Sequence, residues 1–267
     1  MKKLIMTLLV CIAGSTFTNA QTADDYAEVL RQAIPQINES FPINASVVTM
    51  DSVGYDGANL IYYITVDESK VAVADYEASL AQSALEVMAS LLGSEEDNPE
   101  LYDALINSNS NVVYKLCGNK SGNGKNSVVI TNRQLRMITG NITKEDAADF
   151  VNEYIMNANS TLPQDVGDGM TFKKIELENG YIVYYFDTDE SIMSMQAYQD
   201  YKQKGTYMEE SLMESMKSMD NVQTDMINNC IYISGLGIRY VYYGTQSEES
   251  VSFDITPQMF KEKVIGE

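Results

Sequence analysis

The chain has 267 residues, 45% of them hydrophobic, enough to build one large domain or two of ordinary size around packed cores. Its formal charge of −20 repels phosphate backbones and anionic lipid, which argues against nucleic acid and membrane surfaces as partners. Histidine and tryptophan are both absent, so Ser-His-Asp and Cys-His catalysis and imidazole metal sites are excluded, and any stacking platform must be built on tyrosine or phenylalanine.

Met1 to Ala20 reads as a secretory signal peptide. Lys2-Lys3 form the charged start, Leu4 to Ala13 the apolar stretch, and Thr18-Asn19-Ala20 the small-residue cleavage site. The apolar run is too short to span a bilayer. Cleavage after Ala20 would leave a chain of charge −22 (16 basic against 38 acidic residues) in the periplasm or outside the cell. A lipoprotein carrying lipid on Cys11 is the rival reading, and bulky Val10 just before that cysteine opposes it.

Beyond the leader the chain repeats itself. Tyr26, Val29, Leu30, Ala33, Ile34 and Ile37 line one helical face, with Pro35 expected to kink or end the helix. The same stripe returns 121 positions later as Ala147, Phe150, Val151, Tyr154, Ile155 and Ala158, with Thr143 as N-cap. Phe41-Pro42 and Leu162-Pro163 follow the two helices at the same spacing. Asp56-Gly57 and Asn179-Gly180 then predict hairpin turns, each leading into a paired run, Asn59 to Ser69 (NLIYYITVDES) and Tyr181 to Ser191 (YIVYYFDTDES).

Further helices are expected after each hairpin. One is marked by Tyr76, Leu80, Ala84, Val87, Met88 and Leu91 and ended by Gly93; a short one opens at Asn98-Pro99-Glu100. In the second half Gly205 breaks the helix, and Thr206 to Glu209 reads as a capping box. The closing hairpins pair Val112–Leu116 with Ser127–Thr131 and Ile238–Tyr243 with Val251–Thr256. The fold class is therefore α+β, a tandem duplication of an α-β-β-α-β-β unit. Residues 21–140 form the first copy and 141–267 the second, each a four-stranded antiparallel sheet with helices on one face.

Few residues carry recognisable chemistry. Asp187-x-Asp189-x-Ser191 opens like an EF-hand loop, but Ile192 and Tyr198 occupy the positions that need glycine and glutamate. A different calcium site would use Asp187 and Asp189 with Asp165 or Asp168. Met213, Met216 and Met219 are soft ligands that would suit Cu(I), yet Met208, Leu212, Met216 (or Met219) and Val222 also fit a helix stripe filling a core. Cys117 and Cys230 permit one disulfide in an oxidising compartment. The loop Gly118 to Gly124 lacks the pattern of a phosphate cradle.

Alternation places Leu60, Tyr62, Ile64 and Val66, and Ile182, Tyr184 and Phe186, toward the helices. The opposite face carries Ile61, Tyr63 and Thr65 in one copy and Tyr181, Val183 and Tyr185 in the other, joined by Val241, Tyr243 and a lone positive group, Arg239. Such a face is either packed over or a surface for a partner. The leading reading is an exported, non-catalytic binding protein for an unknown protein or small ligand, with Tyr63, Tyr181, Tyr185, Tyr243 and Arg239 at its site and no cofactor. An acidic hydrolase using only Asp and Glu is the alternative, and a calcium- or copper-binding envelope protein the third.

Overall fold

The computed structural model describes residues 22–92, 99–122, 124, 126–219 and 221–265. The leader with its cleavage site, and the expected helix signals at Gly93 and Asn98, lie outside the described residues. The chain divides into two compact units, with the boundary between Thr139 and Gly140.

The first unit opens with α1 (Ala23–Asn38), started by a capping box in which Thr22 Oγ1 accepts from the Asp25 N–H at 3.2 Å and the Asp25 carboxylate accepts from the Thr22 N–H at 3.0 Å. Pro35 does not stop this helix. It sits in the last turn, where only the bond to the Arg31 carbonyl is lost. Then follow β1 (Ile43–Asn44), β2 (Val48–Tyr55), β3 (Asn59–Val66), α2 (Val73–Leu92), α3 (Pro99–Asn107), β4 (Asn111–Gly118), β5 (Asn126–Ile130) and α4 (Asn132–Thr139). The second unit runs α5 (Lys144–Asn159), β6 (Gln164–Gly167), β7 (Met170–Glu178), β8 (Tyr181–Thr188), α6 (Met195–Gln203), α7 (Tyr207–Ser218), α8 (Val222–Ser234), β9 (Gly237–Gly244), β10 (Ser250–Ile255) and α9 (Pro257–Phe260). In both units the X-Pro bond after the first helix, Phe41–Pro42 or Leu162–Pro163, is cis.

The fold is α+β and duplicated, and each sheet has five strands: β1-β2-β3-β4-β5 in one unit and β10-β9-β8-β7-β6 in the other. The extra strand is the short edge piece β1 or β6. Within each hairpin the strands are antiparallel, but the two hairpins meet through a parallel central pair, β3 with β4 and β8 with β9. The helices between the hairpins form a crossover that returns the chain to the end where it started, and such a connection makes neighbours parallel. The Thr206 to Glu209 capping box does not form: Thr206 precedes α7 without a side-chain cap bond, and its hydroxyl reaches Glu210 instead.

The two first hairpins have turns of equal length but different chemistry. In the second, Asn179 and Gly180 both have positive φ (50° and 81°), as a type I′ turn requires. In the first, Gly57 holds the leading central position (φ 98°), and Asp56 sits one residue earlier. Its carboxylate accepts from the N–H groups of Ala58 and Asn59 at 3.0 and 2.8 Å.

Two polar clasps recur in both units. The last residue of the first helix, Asn38 or Asn159, exchanges two bonds of 2.8 Å with the backbone of one residue, Val53 or Ile175, just past a β-bulge. The edge strand has already ended there, so the side-chain amide completes the ladder that β1 or β6 leaves unfinished. The second clasp uses the DES segment. Asp67 and Asp189 each accept from the N–H and hydroxyl of the serine two residues on. Glu68 Oε2 crosses to accept from the Lys120 and Ser121 N–H groups (2.6 and 2.7 Å), and Glu190 Oε2 from those of Gln246 and Ser247 (2.7 and 2.6 Å). Glycine is needed beside each: a Cβ on Gly118 would lie 2.4 Å from Glu68 Oε2, and one on Gly244 2.7 Å from Glu190 Oε2.

The predicted core face of the first sheet is buried, and in the second Ile182 is buried while Tyr184 and Phe186 are half-buried. Leu30, Ala33, Leu60, Tyr62, Ile64, Val66, Val112, Tyr114 and Leu116 pack in one cluster in the first unit. Each such fully buried large side chain contributes about 1.5–3 kcal/mol. In the second unit the helix-facing side of the sheet is an aromatic stack. Phe172, Tyr184, Tyr240, Phe186, Tyr242 and Tyr198 follow one another at centroid spacings of 4.5 to 6.3 Å. Methionines fill the gaps around it, including Met170, Met193, Met195 and Met208.

Candidate functional site

The outer face of the second sheet, turned away from its helices, gathers most of the predicted site residues. Strand alternation points Tyr181, Val183, Tyr185 and Asp187 of β8 outward, with Lys174, Glu176 and Glu178 opposite them on β7. On the other flank β9 presents Arg239, Val241 and Tyr243, and β10 presents Asp254, Ser252 and Ser250 in register with them.

Arg239 is not a lone cation. Its Nε and Nη2 donate to the two carboxylate oxygens of Asp254, both at 2.7 Å, and its guanidinium lies 4.7 Å from the Tyr181 ring centre. This bidentate pairing holds the guanidinium pKa above its ordinary value. The Tyr181 ring lies across Gly237, where a Cβ would stand 2.6 Å from it. Lys174 pairs with Glu176 at 2.6 Å while its ammonium sits 4.6 Å from the centre of the Tyr185 ring. Tyr185 donates its hydroxyl to Glu178 at 2.7 Å, and that bond to a carboxylate pushes the phenol pKa up to about 12. Lys173, the extra residue of the β7 bulge, reaches Asp187 at 2.8 Å.

The face is a tyrosine-bearing lattice in which three cations and four carboxylates are already paired or hydrogen-bonded. Sequence reading overlooked the flanking strands. Lys174, Glu176 and Glu178 alternate at period two and could have been read as one outward row, whereas Asp254 is tied to Arg239 only through register. The lattice stays accessible: the Lys174 and Glu176 side chains are 49% and 43% exposed, and Tyr243 is 38% exposed. Such exposed ion pairs are each worth about 0–1 kcal/mol, so a ligand can recruit them at small cost.

Tyr63 belongs to the other unit. It is 39% exposed, with the Lys115 ammonium 5.7 Å from its ring centre, beside buried Ile61 and Val113.

The remaining candidates are occupied otherwise. Asp187 is held by Lys173, Asp189 by Ser191, and Asp165 accepts from the Gly167 N–H at 2.9 Å. Asp168 has positive φ, 51°, in the turn between β6 and β7. Among the described residues no group of three or more Asp, Glu or Cys side chains is placed to hold a metal ion. Met213 is buried, Met216 is half-buried with its sulfur 4.0 Å from the Tyr240 hydroxyl, and Met219 lies past the end of α7 and is exposed. Cys117 and Cys230 are not joined in a disulfide. They occupy dissimilar places, Cys117 on strand β4 and Cys230 buried on α8. In the first unit an open groove of about 600 Å³ lies between residues 68–74, Ser121 and Asn126, and holds none of the predicted residues.

Among the described residues no helix is long and apolar enough to cross a membrane. No protein-family model matches the sequence, and no curated protein matches it. A comparison with solved structures finds likeness to a "putative secreted protein" from Pseudomonas aeruginosa. It is 8% identical, covers 44% of this chain and 95% of that one, and has a TM-score of 0.33, a likeness too slight to carry any functional argument.

Proposed function

We propose that the chain is an exported, non-catalytic binding protein and that the outer face of its second sheet is the binding surface. One observation carries this reading. Tyr181, Tyr185 and Tyr243 stand on a rigid sheet, amid charges that are already paired and still accessible. Tyrosine offers large contact area with a polar tip at little entropic cost, and a sheet holds it more firmly than a loop would. The carboxylates of this face are engaged with cations or with a phenol, which disfavours their use as the free acid and base of a hydrolase. Export rests on the leader-like segment, Met1 to Ala20.

Two measurements test the reading. Fractionation with N-terminal sequencing should find the protein outside the cytoplasm, beginning at Gln21. Cross-linking from a photoreactive residue at position 243 should trap a partner in the cell envelope, and Tyr185→Ala should abolish the trapping. Trapping that survives this substitution would move the binding surface elsewhere.

A further inference from the structure

We infer that the free edge of β10 takes up an extended strand from a basic partner protein, a site that uses the backbone of that strand and does not depend on the reading of the outer face. The Gly244 N–H donates to the Glu249 carbonyl at 2.9 Å, which fixes the parity of the β9–β10 ladder. Val251, Phe253 and Ile255 therefore turn their backbone groups to β9, and Ser250, Ser252 and Asp254 turn theirs to the edge. Among the described residues none bonds those edge-facing N–H and C=O groups. Three residues so placed are a template on which another chain can add a strand.

The two edges of this sheet are built differently. At the far edge, β6 has only 4 residues, follows directly on Pro163, and its pairing with β7 shifts between Asp165 and Gly167. Past its end the Asn159 amide occupies the Ile175 backbone. Short length, a proline and a bulge each close an edge to a foreign strand. β10 has none of these: its 6 residues pair with β9 without a shift and include no proline, glycine or lysine. The equivalent strand of the first unit, β5, is shorter. There the Asn111 N–H bond to the Ala58 carbonyl sets the parity, and only Ser127 and Val129 face the edge.

Charge selects the partner. From Gly140 onward the sequence carries 9 basic against 22 acidic residues, and Glu248 and Glu249 are exposed at the entry to β10. A second copy meeting this edge would set like charge against like, whereas a chain rich in lysine or arginine is drawn to it. Strand alternation then fixes the pattern of that chain. Its side chains on the helix side would continue the buried row Val251, Phe253 and Ile255, and the others would lie beside Ser250, Ser252 and Asp254. The fitting segment therefore alternates apolar with basic residues.

Amide hydrogen exchange at Ser250, Ser252 and Asp254 of the purified protein tests this, with an alternating lysine–valine peptide of about seven residues as the probe. A glutamate–valine peptide of the same length, and the lysine–valine peptide N-methylated throughout, serve as controls. The probe should slow exchange at all three amides about tenfold or more, and neither control should change it. Ser252→Pro removes the central edge donor and breaks no bond to β9, so the thermal midpoint should hold while the protection gained at Ser250 and Asp254 falls about tenfold. Three results overturn the inference. The lysine–valine peptide gives no protection; the N-methylated peptide protects equally, which leaves charge attraction without strand addition; or protection grows with protein concentration in the absence of peptide, which gives the edge to a second copy.

Discussion

Replacing Asn159 by alanine puts the structure to its sharpest test, because one side chain there does the work of a missing strand. Its amide donates to the Ile175 carbonyl and accepts from the Ile175 N–H, both at 2.8 Å, and Ile175 is only 1% exposed. Alanine would leave a donor and an acceptor unpaired at about 1–3 kcal/mol each. Partial access of water at the sheet edge, and the better helix propensity of alanine at the end of α5, trim that to about 2–4 kcal/mol in all. Asn38→Ala should cost as much in the first unit, where the same amide serves Val53. Asn157→Ala, an exposed change on the same last turn of α5, should stay within about 0.5 kcal/mol and serves as control. Urea unfolding reports the loss, and hydrogen exchange at the Ile175 N–H reports where it arises. If Asn159→Ala matches Asn157→Ala, with the Ile175 N–H still protected, the amide is not completing the ladder and the account of both edges is wrong.

The acidic clasps make a prediction about pH. Glu68 and Glu190 have pKa values held below the ordinary 4.5, chiefly by the N–H groups of Ser121 and Ser247, so their stabilisation is full above that value and fades as pH falls through the lowered ones. The turns at Lys120–Ser121 and Gln246–Ser247 should therefore loosen before the sheets on acidification, seen as early loss of amide protection at Gln246 and Ser247, and Glu190→Gln should remove that pH dependence. At the other extreme, burial raises the pKa of Tyr184, Tyr240 and Tyr242, so these phenols stay protonated in the fold while unfolded tyrosines ionise. Stability should fall as pH rises past about 10, with a cooperative rise in phenolate absorbance at unfolding; smooth non-cooperative titration of every tyrosine would contradict the buried stack. Gly237→Val should cost about 1–3 kcal/mol and displace Tyr181, because its Cβ would stand 2.6 Å from that ring and 2.9 Å from the Ile255 carbonyl; unaltered stability would mean the ring does not lie where described.

Local signals made much of this architecture legible in the chain. The apolar stripe of α1 and its return in α5, the turn glycines, and the period-two runs of β3 and β8 are short-range patterns, each read from a dozen residues or fewer. What escaped depends on pairing across distance. The parallel junction of β3 with β4 is set by a crossover whose direction no local pattern records. The roles of Asn38 and Glu68 also escaped, because an asparagine at a helix end and a glutamate after a strand look like ordinary solvated polar residues until the backbone they reach is known.

The candidate face illustrates the same limit. Two central strands alone, rich in tyrosine with one arginine, implied a bare patch around a stray charge. Register adds β7 and β10, and the patch becomes a lattice: Asp254 answers Arg239, Glu178 holds Tyr185, and Lys174 covers its ring. Comparing the copies then separates scaffold from surface. The asparagine and glutamate clasps recur in both units with nearly identical distances, so they belong to the fold. The outer faces recur only in part: Tyr63 and Tyr185 hold equivalent places, each with a lysine ammonium near its ring, while their neighbours differ. Where β8 presents Tyr185 to Lys174, β3 presents Tyr63 to Ser52, and where β9 and β10 pair Arg239 with Asp254, β4 and β5 pair Val113 with Val129. The bidentate Arg239–Asp254 pair and the Lys174–Glu176 pair thus vary between the copies while the clasps do not, so the fold is specified by the asparagine and glutamate clasps and tolerates either a charged or an aliphatic pair at the outer register positions.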